Sequence, residues 1–306
     1  MRFLCSTFLS AAAIALGVCG STEAWAQGCC AGSGAVTPAR LASHEDGLVG
    51  VQLRATRLLG SFNDGGAVSS SPGGTSELAL EENLFGAIRV LRRGQLALLA
   101  PVLQTRRRAG RLSALGGGIG DVNASARYDF VFAREEVYVP GIAVLVGLTF
   151  PTGTAPEAAS RPLATDATGV GAFQGTLGLA LEQSRGPWLV GVSALLAKRT
   201  SRSVQGVDTT LGAHGTLLVT TTYAFHGGAA VAALVSYGVE ARAVVNGSDV
   251  EGSARRIPLL SLSWTLPLGE DWRIHQSLFL TPPLPGAGRN SPTNLGATFG
   301  VVRSWS

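Results

Sequence analysis

The stretch that decides the fold is Val122-Asn123-Ala124-Ser125-Ala126-Arg127-Tyr128-Asp129-Phe130-Val131-Phe132. Val122, Ala124, Ala126, Tyr128, Phe130 and Phe132 fall on one parity, and Asn123, Ser125, Arg127 and Asp129 on the other. Successive side chains of a strand point to opposite faces, so the stretch reads as a strand with one greasy and one polar face.

The same pattern recurs along the chain. Leu211, Ala213, Gly215, Leu217, Val219, Thr221, Tyr223 and Phe225 oppose His214, Thr216, Thr220 and Thr222. Leu260, Leu262, Trp264, Leu266 and Leu268 oppose Ser261, Ser263 and Thr265. From Val231 to Val245 the apolar set opposes Ser236, Gly238, Glu240 and Arg242. About twelve such segments follow Asp46, each near the 9–11 residues of a tilted membrane strand.

A soluble sandwich gives the same alternation, so the connections have to separate the two folds. Long breaks near 62–77, 106–120, 152–167, 199–208, 246–254 and 282–294 alternate with short ones near 92–94, 134–136, 184–187, 226–228 and 269–271. Barrels of the outer-membrane type keep this rhythm, with tight turns on one side and long loops on the other, whereas a sandwich has no reason to. Phe130, Phe132, Tyr138, Trp188, Tyr223, Phe225 and Trp305 lie near short turns or the C-terminus, where an interfacial girdle belongs. The fold expected is all-β: a single closed antiparallel transmembrane barrel over 47–306. Its first strand, near 47–61, should pair with its last, near 295–305, because only closure removes unpaired edges in lipid.

Composition agrees. The chain of 306 residues is 46% hydrophobic and 14% charged with 41 glycines. So low a charge argues against disorder. Arg2, the apolar run Phe8–Val18 and Ala24-Trp25-Ala26 read as a signal peptide over 1–26, followed by a flexible leader over 27–46. The balance of 24 Lys+Arg against 20 Asp+Glu gives +4, which does not call for nucleic acid. Cys5 and Cys19 leave with the signal, and the adjacent Cys29 and Cys30 offer no disulfide framework. Lipidation fits poorly, since Val18 precedes Cys19 and Ala26 stands where a larger aliphatic residue is expected before Cys29.

Three stretches, Gly118-Ile119-Gly120-Asp121 leading through Phe130, Val146–Gly153 with its Pro151-Thr152-Gly153 exit, and Thr168-Gly169-Val170-Gly171, resemble the outer-membrane family described as meta-pathway phenol-degradation-like, or "transporter". The likeness covers roughly 116–182. It implies a barrel passing small, often hydrophobic, molecules across the outer membrane of a Gram-negative bacterium, with no catalytic residues to carry over. The segment 295–305, with Thr298, Gly300 and Trp305, resembles the terminal recognition strand of such proteins, although Arg303 departs from it. The partners implied are outer-membrane lipid and lipopolysaccharide, the barrel-assembly machinery during biogenesis, and a small-molecule solute. A plugged barrel presenting its loops is the alternative.

No cofactor, metal or catalytic set is expected. His275 and Ser277 share a strand face, but a hydrolase would need the Ser activated by the His and a third group to orient it. The four histidines have no carboxylate or cysteine at ligand spacing. Gly116–Gly120 lacks the Lys-Ser/Thr of a phosphate loop. Arg106-Arg107-Arg108 with Arg111 is placed in an external loop, either facing lipopolysaccharide and anionic solutes or simply solvated.

The residues expected to line the lumen are Gln52, Arg54, Asn83, Arg89, Asn123, Arg127, Asp129, Gln174, Thr176, Glu182, His214, Glu240 and Arg242. Loop 152–167 is expected to filter access, with Arg127 and Asp129 just below it.

Overall fold

The computed structural model describes residues 40–133, 138–204 and 206–306. The signal-peptide and cysteine readings at 1–39 lie outside them. Twelve antiparallel strands form the wall of a closed barrel. They are β1 (Gly47–Phe62), β2 (Thr75–Leu91), β3 (Gly94–Ala109), β4 (Val122–Val131), β5 (Gly141–Phe150), β6 (Gln174–Arg185), β7 (Trp188–Arg199), β8 (His214–Ala224), β9 (Ala230–Glu240), β10 (Arg255–Leu268), β11 (Trp272–Leu280) and β12 (Pro292–Trp305). Each pairs with its sequence neighbour, and β12 returns to β1 from Gly47↔Trp305 to Ser61↔Pro292.

Burial follows the strand period. Along β9 the alternation runs without a break from buried Ala230, Ala232 and Leu234 to exposed Val231, Ala233 and Val235. Cross-strand register carries it round the wall: outward Val231 pairs with Trp264, Trp264 with Gln276, and Gln276 with Phe299. The outward face carries a broad apolar surface that includes Leu84, Leu98, Leu148, Leu177, Leu196, Val235, Leu262 and Leu278, all more than 40% exposed. A patch that size has no place in water and fits a hydrocarbon surround. Polar residues interrupt it: Glu82 is exposed beside its register partner Leu53, and the Trp264 indole N–H donates to Gln276 Oε1 at 2.6 Å. Leu262→Arg is expected to cost about 2–4 kcal/mol, as for arginine near the bilayer midplane, and Ser263→Arg, one residue on and facing inward, far less. Urea unfolding in lipid vesicles measures both.

Aromatics gather outward at the short-turn end. Trp188, Tyr223 and Phe225 form successive edge-to-face pairs with centroids 4.9 Å apart, and Tyr128 meets Phe130 at 5.0 Å. Phe150 and Phe173 meet edge to face, with centroids 6.0 Å apart, at the opposite end.

The long-loop end is more ordered than its Gly- and Pro-rich sequence suggests. Arg106–Arg108 belong to β3, which runs on into a hairpin with Leu112–Ile119 through the tight turn at Gly110, instead of lying in a loop. Strand parity therefore splits the basic run: Arg106 and Arg108 are exposed, and Arg107 turns inward onto Glu77 at 2.8 Å. Segments 202–210 and 244–249 pair into a small second sheet. The connection between β4 and β5 is longer than the expected 134–136, because β4 ends at Val131 and β5 begins only at Gly141.

The expected leader ends differently as well. Residues 40–46 are not a loose lead-in: Leu41 and Glu45 are 5% and 2% exposed, packed inside the short-turn end. Leu41 sits against Leu48, Phe85, Ala87, Ala97 and Val302.

Candidate functional site: the barrel interior and its two closures

The inner wall carries charge at both ends with an apolar stripe between. Twelve of the thirteen residues named from the sequence fall on the buried parity of a wall strand; only Arg242 does not. It is exposed and lies past Glu240, the last residue of β9. Alternation alone could not show where the wall stops and the loop begins.

At the short-turn end, Arg127 donates twice to Asp129 Oδ1, from Nε at 3.0 Å and Nη2 at 2.7 Å. Its Nη2 also lies 3.2 Å from Glu182. Glu182 is held from its other side by Arg40 at 2.5 Å. These strands come together here because Arg127 pairs in register with Leu145 of β5, whose neighbour across the sheet is β6. The expected position of Arg127 and Asp129, just below loop 152–167, is corrected: β4 runs from the long loops toward the short turns, and its charged pair sits at the latter end. Arg89 belongs to this end too, with Nε donating to the Glu45 carbonyl at 2.8 Å and Nη2 to the Ala42 carbonyl.

Nearer the long loops, Arg199 joins Gln174 at 2.8 Å to Glu240 at 2.6 Å. His214 Nε2 meets Thr216 Oγ1 at 2.8 Å. Gln174 Nε2 is 3.5 Å from the Thr176 hydroxyl. Asn123 donates to Thr149 Oγ1 at 3.0 Å. At the β1–β2–β12 seam, Asn83 donates to Glu81 at 2.9 Å beside its register partner Gln52. Arg54 lies over the Phe279 ring at 4.4 Å, and its Nε is buried without a hydrogen-bond partner among the described residues.

Between these polar groups one side of the wall carries an apolar patch among serines and threonines. Ala143, Leu145, Ala180, Leu195, Leu218 and Leu234 form one buried cluster with Leu259 packed against it, crossing six strands from β5 to β10.

Loop 151–173 packs onto the hairpin side of the other end. Asp121 clasps its base, Oδ1 accepting from Gly153 N at 2.9 Å and Oδ2 from Val170 N at 2.6 Å. Thr152 Oγ1 donates to the Gly120 carbonyl at 2.6 Å, and Thr168 Oγ1 to that of Ile119 at 2.7 Å. Thr165 is completely buried against Gly116, where a Cβ would come within 2.5 Å of its hydroxyl. Arg107 Nη1 donates to the carbonyls of Leu163 and Ala164, each at 2.9 Å. Both residues have positive φ, 58° and 48°, a conformation that costs a non-glycine about 1–2 kcal/mol, so the Arg107 bonds offset local strain.

Within the loop, Asp166 accepts from Ser160 N and Oγ, both at 2.9 Å, and from Arg161 N at 3.1 Å. The Ser160 backbone bond leads the effects that depress its carboxyl from 3.8 to about 2. A depressed carboxylate contributes order that is whole above its unfolded pKa and lost as pH falls through the folded one. The turn at 160–166 should therefore hold at pH 5 and loosen between about 3.8 and 2. Hydrogen exchange of the Ser160 and Arg161 amides across that range checks it.

His275 is bonded to Thr265 at 2.8 Å and Ser277 to Thr298 at 2.7 Å, so each hydroxyl or ring is engaged with a neighbouring strand.

The residues that sequence reading misses are Arg40, Glu45, Arg107, Arg199 and the inward leucines. Arg107 and Arg199 fall in stretches that read as loops, and the leucines lie on strands apolar on both faces, where alternation carries no signal.

No known family model and no curated sequence matches the chain. Among solved structures it is similar to the COG4313 outer membrane channel from Pseudomonas putida F1, with 13% identity over 87% of this chain and 97% of that one, at a TM-score of 0.70. It is also similar to the translocator domain of autotransporter NalP from Neisseria meningitidis, with 12% identity over 87% and 90% of the two chains and a TM-score of 0.48. At these identities the likeness is one of fold. The chain is a β-barrel of the outer-membrane type.

Proposed function

We propose that this barrel is a passive channel in the outer membrane of a Gram-negative bacterium, passing small solutes with an apolar or aromatic body. The observation that carries the reading is the inward stripe Leu145–Leu195–Leu218–Leu234–Leu259 between two charged zones. A lumen built for water and ions is lined by polar side chains. Leucines facing inward instead offer a surface for the apolar body of a solute, and the flanking charges orient a polar group on it. The similar Pseudomonas putida protein is an outer membrane channel, which supports the same reading. So does the sequence resemblance to barrels thought to move hydrophobic small molecules.

In this orientation the short-turn end faces the periplasm and loop 151–173 faces outward. Outer-membrane lipid contacts the outward apolar face, and lipopolysaccharide meets exposed Arg106 and Arg108. The barrel-assembly machinery inserts the chain. Twelve residues form the lumen set, Gln52, Arg54, Asn83, Arg89, Asn123, Arg127, Asp129, Gln174, Thr176, Glu182, His214 and Glu240.

The second reading, a closed barrel that displays its loops, draws on the covering of both ends by residues 40–46 and 151–173. Planar-bilayer conductance of the refolded barrel, followed by liposome uptake of aromatic acids, alkylphenols and sugars, separates the two. A channel conducts and favours the aromatic solutes; no conductance and no uptake in any variant described below would leave the scaffold reading standing.

A further inference from the structure

Residues 41–45 occupy the short-turn end of the interior in a particular chemical manner. Leu41 fills an apolar patch made by Leu48, Phe85 and Val302. Glu45, 2% exposed, places its carboxylate 2.8 Å from Arg273 Nη1. Arg89 draws in the carbonyls of Ala42 and Glu45. An apolar side chain and a carboxylate four residues apart, the carboxylate facing Arg273 and the main-chain carbonyls held by Arg89, give the outline of a small amphiphilic acid.

The receiving site is not used up by the segment. Arg273 is 6% exposed, yet its Nε and Nη2 have no hydrogen-bond partner among the described residues. Those two donors form one edge of the guanidinium fork, the edge that takes a carboxylate in two parallel bonds. Glu45 engages only the remaining nitrogen. A cavity of about 140 Å³ lies against the same residues, lined among others by Glu45, Thr265, Arg273 and Ser304, with Glu270 and Asp271 at its turn side. The apolar patch lies on the other side of Arg273, outside the cavity lining: Arg273 pairs in register with Val302, Val302 with Gly50, and the Phe85 ring packs so close to Gly50 that a Cβ there would come within 2.6 Å of it.

From this geometry we propose that the periplasmic end holds a binding site for organic carboxylates with an apolar body, built from Arg273, Arg89 and the Leu48–Phe85–Val302 patch. Residues 41–45 fill it when no solute is present, and a solute displaces them as it leaves. The proposal rests on the channel reading for its direction of use, but the site itself is defined by binding.

The full barrel in detergent, titrated with benzoate and with neutral benzyl alcohol by calorimetry, tests it. Benzoate should bind, tighten on the order of tenfold in Glu45→Gln, where the competing carboxylate is gone, and bind undetectably in Arg273→Gln. Arg273→Lys keeps the charge without the fork, guards against misfolding of the Gln variant, and should also weaken binding strongly. Benzyl alcohol should be insensitive to all three. Equal benzoate binding in wild type, Glu45→Gln and the Arg273 variants, or benzyl alcohol matching benzoate throughout, would overturn the site. Arg273-dependent binding in a barrel that never conducts would uphold the site and remove the channel reading instead.

Discussion

A barrel that lacks residues 155–165 and also carries Glu45→Gln is expected to conduct severalfold more than a barrel with either change alone. On the channel reading, residues 41–45 and loop 151–173 stand at the two ends of one path, so they act as resistances in series and the tighter one governs the current. At the outer end, Thr165 is packed on Gly116, and Arg107 holds Leu163 and Ala164 in a strained turn. The deletion removes that lid and leaves the clasp of Asp121 on Gly153 and Val170 in place, so the β5–β6 connection keeps its base. At the inner end Glu45→Gln removes the carboxylate that faces Arg273. Each single change relieves one barrier and leaves the other in control, which is the non-additive pattern expected of coupled sites. Single-channel recording of the four proteins measures it directly. Additive small increments would mean that one of the two closures does not obstruct the path.

The extent to which this was legible in the sequence follows from where alternation carries information. β4 reads cleanly because Arg127 and Asp129 oppose Tyr128 and Phe130, and one face is unmistakably polar. Strand β5, Gly-Ile-Ala-Val-Leu-Val-Gly-Leu-Thr-Phe, is apolar on both faces, so nothing marks Leu145 as inward; only its register partner Arg127 does. Rhythm of long and short breaks gave the strand number and closure, since chain direction must reverse at every break. It misplaced Arg106–Arg108 because a hairpin extending beyond the membrane looks polar on both sides, like a loop. Arg242 failed for the reverse reason, an alternation carried beyond the last paired residue.

Residues 40–46 were beyond reach of that reasoning. Nothing in Arg40-Leu41-Ala42-Ser43-His44-Glu45-Asp46 is periodic, and the contacts that order it join positions as far apart as Arg40 and Glu182. A short segment with mixed polarity resembles any connecting stretch until the barrel around it supplies partners for each group.

Those partners set the second large effect. Arg127→Met is expected to destabilise the barrel by about 3–5 kcal/mol, the range for removing one member of a buried ion pair. The Arg127 side chain is 4% exposed and serves two carboxylates at once, Asp129 at 2.7 Å and Glu182 at 3.2 Å. After the change Glu182 still has Arg40 at 2.5 Å, which places the loss toward the lower end of that range. Among the described residues Asp129 keeps no other ion pair, so it should dominate what remains. Arg127→Met combined with Asp129→Asn should then cost less than the sum of the two single changes, because the second change removes the charge that the first has stranded. Truncating Arg40 as well returns the full penalty, by leaving Glu182 without its remaining arginine. Urea unfolding of the four variants in vesicles gives the cycle. Strict additivity of Arg127 and Asp129 would show the two to be independently hydrated, and the short-turn end to be open to water instead of sealed by its charges.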